Sequence, residues 1–137
     1  MINLYVLDAC ALIALLNNEN GASIVADAYR EAVRGEARII MNRVNLLEVF
    51  YGYYRDDGRI FAENIMTGIK KSAISISDFD DALFPEAGRL KASYKISLAD
   101  SIVLAQALIT NGKLLTADHH EFDSIDGREP IGFKWIR

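Results

Sequence analysis

The sequence predicts an α/β fold, a parallel sheet covered on both faces by helices. Three observations predict it. Short apolar segments of strand length alternate with helical segments along the whole chain. Turn and cap residues punctuate nearly every junction between them. No internal repeat, low-complexity tract or linker interrupts the alternation, so the 137 residues read as one domain, 1–137, long enough to bury a real core.

The elements follow in order. Asn3–Leu7 (Asn-Leu-Tyr-Val-Leu) reads as a buried strand ending in Asp8. Ala9–Leu16 continues as a short apolar helix, closed by Asn17-Asn18-Glu19-Asn20-Gly21. Ala22–Arg34 is amphipathic, with Ile24, Val25, Ala28 and Ala32 on one side and Arg30, Glu31 and Arg34 on the other, and Gly35 ends it. Arg38–Met41 is a second strand. The helix that follows is capped by Asn42 or Asn45, which puts Glu48 in its first or second turn. Asp56-Asp57-Gly58 is a turn, and Arg59–Lys71 a further helix with Ile60, Phe61, Ile65 and Ile69 inward. Ala73–Ser77 is a third strand. Asp78–Tyr94 is mostly helical, with Pro85 in its first turn or at a kink.

The stretch Ile96–Asp118 parses most sharply. Ser97 is an N-cap, and Asp100 is the first-turn acid three residues on. Leu98–Ile109 is apolar almost all round, so this helix is expected to be buried on most of its surface. Asn111-Gly112 supplies the left-handed residue that stops it. Lys113–Thr116 is a strand with Asp118 just beyond its carboxyl end. His119–Arg128 reads as a polar loop pinned by Phe122 and Ile125, and Pro130–Ile136 as a last, edge strand.

Composition narrows the function. No apolar run approaches the roughly 20 residues of a membrane span. Leu4–Leu16 carries Asp8 and lacks a basic flank, which argues against a signal peptide. A single Cys10 permits no internal disulfide, the pattern expected of a cytoplasmic protein. With one cysteine and two histidines, a zinc site of the usual kind cannot be built. The net charge of −4 argues against a basic nucleic-acid coat but not against a nuclease, whose cations can hold a phosphodiester.

Four acids, Asp8, Glu48, Asp100 and Asp118, come from four separate segments and fall at the carboxyl edge of the predicted sheet, where α/β ligand sites form. Each alone is explained by capping or by a turn. Together they would repel and raise one another's pKa unless something positive lies between them. An oxygen-only site of this kind suits Mg²⁺ or Mn²⁺. Such an ion lowers the pKa of a bound water and polarises a phosphoryl oxygen, the chemistry of phosphodiester hydrolysis.

Leu7-Asp8-Ala9-Cys10-Ala11-Leu12, Asn45-Leu46-Leu47-Glu48-Val49, Ile96-Ser97-Leu98-Ala99-Asp100-Ser101 and Leu114-Leu115-Thr116-Ala117-Asp118, in this order and spacing, resemble the PIN-domain family, and within it the VapC-type toxins of toxin–antitoxin pairs. The resemblance covers nearly the full length. It implies a five-stranded parallel sheet in the order 3-2-1-4-5 and a metal-dependent endoribonuclease. It further implies Asp8, Glu48, Asp100 and Asp118 as the catalytic acids holding Mg²⁺ or Mn²⁺, with Thr116 supporting the site. An antitoxin protein partner, an RNA substrate and a homodimer are expected by the same resemblance. Cys10 stands where the family more often has Ser or Thr, and the loop after Asp118 is one residue longer than usual, so Asp118 or Asp123 fills the fourth position, with Asp118 preferred because it directly follows the strand. Two alternatives share these motifs: an RNA-processing PIN nuclease without an antitoxin, and a catalytically silent PIN binding module.

The remaining polar and aromatic residues carry less. His119-His120 reads as exposed loop, and Phe50, Tyr51, Tyr53, Tyr54 and Trp135 as core or interface before RNA stacking. Arg43, Arg55, Arg59, Lys70 and Lys71 fit either RNA steering or an exposed helix face. No histidine is placed to activate the Cys10 thiol.

Overall fold

Alternate residues of the central strands point into two separate hydrophobic clusters, and this sets the layers. In the computed structural model, which describes residues 2–137, Tyr5 and Leu7 of β1 (Asn3–Leu7) face one side, and Val6 the other. Ile39 and Met41 of β2 (Ala37–Asn42) oppose Ile40 in the same way, and Leu115 of β4 (Lys113–Thr116) opposes Leu114. A strand buried on both faces has this apolar run with no polar alternation.

The first cluster packs α1 (Ala9–Leu16), α2 (Ala22–Val33), α3 (Arg43–Asp57) and α4 (Arg59–Lys70) on one face. The second packs α5 (Leu83–Ser93) and α6 (Leu98–Thr110) on the other, with Phe122 and Ile125 fully buried among them. The sheet adds β3 (Ile74–Ser77) at one edge and β5 (Gly132–Trp135) at the other. All neighbours are parallel and the order is β3-β2-β1-β4-β5. The chain is therefore the expected α/β fold with the expected 3-2-1-4-5 sheet. That order reverses direction between β1 and β4, and a crevice opens outside their carboxyl ends.

Several local expectations are refined. Asn42 caps α3, its Oδ1 accepting from Val44 N at 3.0 Å, and its Nδ2 reaches Gln106 Oε1 at 3.2 Å. Asn45 is thereby left free of capping. Asp56 and Asp57 are not a turn; α3 runs through them, and Gly58 alone makes the break. Ile60 and Phe61 do not face inward. Ala62, Ile65, Met66 and Ile69 form the packed stripe at helical spacing, which leaves Ile60 76 % exposed on the far side. Residues 78–82 precede α5 rather than belong to it, with Asp80 Oδ1 accepting from Leu83 N, and Pro85 sits in the first turn, where its missing N–H costs nothing. The loop after β4 contains a short helix, α7 (His119–Phe122). Asn111, at φ 54°, is the left-handed stop of α6; Gly112 is needed for space instead, since a Cβ there would lie 3.0 Å from Val6.

Candidate active site

Asp8 leaves β1 and enters the crevice as the N-cap of α1. Its Oδ1 accepts from Ala11 N at 2.8 Å, which occupies one of the helix's unpaired amides. Thr116 Oγ1, at the end of the neighbouring β4, donates to Asp8 Oδ2 and accepts from Asp118 N at 3.0 Å. One hydroxyl thus orders two of the four acids. Cys10 supplies the hydrogen bond its unusual identity put in question: its Sγ lies 3.1 and 3.3 Å from the two Asp8 oxygens. Burial and the Asp8 charge push the thiol pKa up to about 12, so it stays a neutral S–H donor rather than a nucleophile.

The other acids come from three further elements. Glu48 lies on α3 one turn beyond Asn45. Asp100 is in the first turn of α6, its backbone N bonded to Ser97 Oγ at 3.0 Å. Asp118 caps α7, with Oδ1 accepting from Glu121 N at 3.1 Å.

The four carboxylates share one electrostatic field. Burial raises the pKa of Asp8, against hydrogen bonds from Thr116, Ala11 and Cys10, and the Asp118 charge raises it further. Burial raises Glu48 as well, opposed by the polar Asn45 amide one turn before it and reinforced by the charges of Asp8 and Asp118. Asp100 is pushed up to about 7 by burial, with Ser97 opposing and the charges of Asp118, Glu48 and Glu121 adding to it. No Lys or Arg among the described residues forms an ion pair with any of the four.

Glu121 is not among the sequence-predicted acids, because a four-residue turn carries no readable helical period. The helical turn α7 brings its charge onto Asp100, and its spacing three residues after Asp118 is the signal that could have found it. Asp123 is turned away: its Oδ1 pairs with His119 Nδ1 at 2.8 Å. His119 also bonds the Arg137 carbonyl through Nε2 and stacks on Trp135 at 3.9 Å, so it fastens the chain's last strand. His120 is exposed. Tyr53 is buried, while Tyr51 and Tyr54 are exposed. Arg43, Arg55 and Arg59 pair with Asp78, Asp56 and Glu63 on the surface.

The donor chemistry fits a hard divalent cation. The site offers carboxylate oxygens, no resident positive charge, and a buried amide oxygen, Asn45 Oδ1, that has no hydrogen-bond partner. As placed, no three His, Cys, Asp or Glu side chains among the described residues are close enough to enclose an ion. Closing on one requires the carboxylates to draw together by rotamer changes.

A parallel α/β sheet carrying acids from four elements at its carboxyl edge defines the class. The chain belongs to the PIN domain family, whose model matches residues 5–128. Among solved structures, it is similar to VapBC2 from Rickettsia felis bound to a promoter DNA fragment, with TM-score 0.77, 17 % identity, and 96 % of this chain and 98 % of that chain covered. DNA-bound VapBC from Salmonella typhimurium matches at TM-score 0.75 and 16 % identity over 100 % of both chains. VapBC-5 from Mycobacterium tuberculosis, a member of the VapBC family of toxin–antitoxin systems, matches at 0.65 and 19 % identity over 98 % of each. A search of curated protein sequences returned no match.

Proposed function

We propose that this chain is a Mg²⁺- or Mn²⁺-dependent endoribonuclease, the toxin of a toxin–antitoxin pair. The carrying observation is the mutual field of Asp8, Glu48, Asp100 and Asp118, four acids with no Lys or Arg paired to them among the described residues of a PIN domain. A bound divalent ion would supply a Lewis acid for the phosphodiester and acidify a water. The chain's own part is to present Asp8, Glu48 and Asp100 as ligands, with Asp118 assisting a second ion or orienting the water. Thr116 and Cys10 hold Asp8 in place, and Ser97 caps the helix start at Asp100, its Oγ accepting from the Asp100 backbone N. The acids serve as ligands and orienters, not as nucleophiles. The solved VapBC assemblies favour a protein antitoxin as partner, and a homodimer accords with the same reading.

The test is cleavage of a structured RNA mixture by the purified protein with Mn²⁺ or Mg²⁺, with chelator, and by Asp100→Asn. Metal-dependent cutting that falls at least a hundredfold in the variant is expected. Metal-independent cutting, or cutting that Asp100→Asn retains, would remove the acid site from the mechanism. Co-expression with a neighbouring gene product that co-purifies and suppresses cutting would support the toxin assignment.

A further inference from the structure

Asn45 is 1 % exposed and lies on α3 one turn before Glu48, yet it is not the helix cap. Its Nδ2 donates to the carbonyl of Ala99 at 3.0 Å, crossing from α3 to the first turn of α6. A carbonyl can only accept, so Nδ2 must face it and Oδ1 is turned the other way. Oδ1 is then the one buried side-chain N or O atom among the described residues without a hydrogen-bond partner. Ala99, whose carbonyl it binds, immediately precedes Asp100. Buried polar atoms are almost always satisfied, and an exception in a native chain calls for a reason.

We propose that Asn45 is a positioning residue of the acid site. Its amide N–H ties the helix carrying Glu48 to the helix carrying Asp100, and its free Oδ1, closed to solvent as placed, becomes an acceptor for water in the cation's hydration shell when the carboxylates draw together on the ion. This rests on the metal-site reading above and adds to it a neutral residue outside the four acids. Asn45 thereby fixes the spacing of two carboxylates that are contributed by separate elements. A purely structural role would make the orphaned oxygen a defect, and replacing it with an apolar group of similar size would leave cation binding alone.

The experiment measures Mn²⁺ binding by calorimetry and by the electron paramagnetic resonance of bound Mn²⁺, on wild type, Asp100→Asn, Asn45→Leu and Asn45→Ser. Metal-free Tm and circular dichroism are recorded in parallel. Outer-shell partners of metal ligands typically contribute 10- to 100-fold to affinity. Asn45→Leu is expected to keep the fold without metal but to lose tenfold or more in Mn²⁺ affinity, together with the change in the Mn²⁺ spectrum. A loss below tenfold, whatever happens to the metal-free Tm, overturns the proposal. Where Asn45→Leu fails to fold, Asn45→Ser is judged by the same threshold. If wild type binds no Mn²⁺, or Asp100→Asn binds it equally, the acid-site reading itself falls and this inference with it. If wild type binds and Asp100→Asn does not, only the Asn45 variants decide.

Discussion

Thr116 holds two acids with one hydroxyl, which makes it the most consequential uncharged side chain around Asp8. Thr116→Val keeps the shape but removes the donor to Asp8 Oδ2 and the acceptor for Asp118 N. Leaving a buried polar group unsatisfied costs about 1–3 kcal/mol. The expected result is a drop of that size in urea-unfolding stability, accompanied by weaker Mn²⁺ binding. Asp100 makes a pH prediction. Its folded pKa of about 7 stands above the roughly 3.9 of an unfolded aspartate, so the folded chain holds a proton that the unfolded chain has released. Its stabilising contribution is full below about pH 4 and is lost as pH rises through about 7. A metal must displace that proton, so Mn²⁺ affinity is expected to fall about tenfold per pH unit below 7, read by calorimetry across pH 5.5–8. Affinity flat across that range would contradict a protonated Asp100.

Element boundaries rest on a few backbone positions, and two glycines separate strain from crowding. Gly58 joins α3 to α4 at φ 89°, ψ 168°, a conformation open essentially only to glycine, with nothing near a would-be Cβ. Gly58→Ala should cost about 1–3 kcal/mol from strain alone. Gly21 adds a clash to its φ of 95°, because a Cβ would sit 2.5 Å from the Ile136 carbonyl oxygen. Gly21→Ala is therefore expected to destabilise more than Gly58→Ala in denaturant titrations; the reverse order would mean that Ile136 moves aside readily. The elements readable from sequence were those with chemical end-marks: Asp8 before α1, Ser97 before α6, Asn111 after it. Where the mark was ambiguous, tertiary packing decided. Ile60 and Phe61 looked inward by hydropathy, but the small Ala62 was the residue that let α4 approach its neighbours. The helical turn at 119–122 is four residues long, too short for periodicity to reveal, and Glu121 was missed with it.

Across the whole molecule the acid edge is a standing electrostatic cost that a cation would relieve. Mn²⁺ at a hundredfold excess over its Kd should stabilise the fold by about 2.7 kcal/mol, seen as a rise in Tm that chelator reverses. No rise would mean that the folded chain gains nothing from the ion. The alternation of elements and the convergence of four acids on one edge could be read without coordinates, because parallel α/β topology forces carboxyl ends and helix starts together. Ser97 at Asp100 was legible as a cap, and Thr116 was expected as a support by resemblance alone; which atoms the distant partners bond was not legible. Thr116 to Asp8 and Asn45 to Ala99 join residues 108 and 54 positions apart, and no local pattern encodes such pairs.

That separation has a consequence for synthesis. β1 sits in the middle of the sheet, yet its neighbour β4 is synthesised only after β2, β3 and the helices α1 to α6. Until then Asp8 has neither Thr116 nor Asp118 beside it. A nascent chain that has not yet made β4 thus lacks an assembled acid edge, and the nuclease proposed above would complete its site only after that strand has been synthesised.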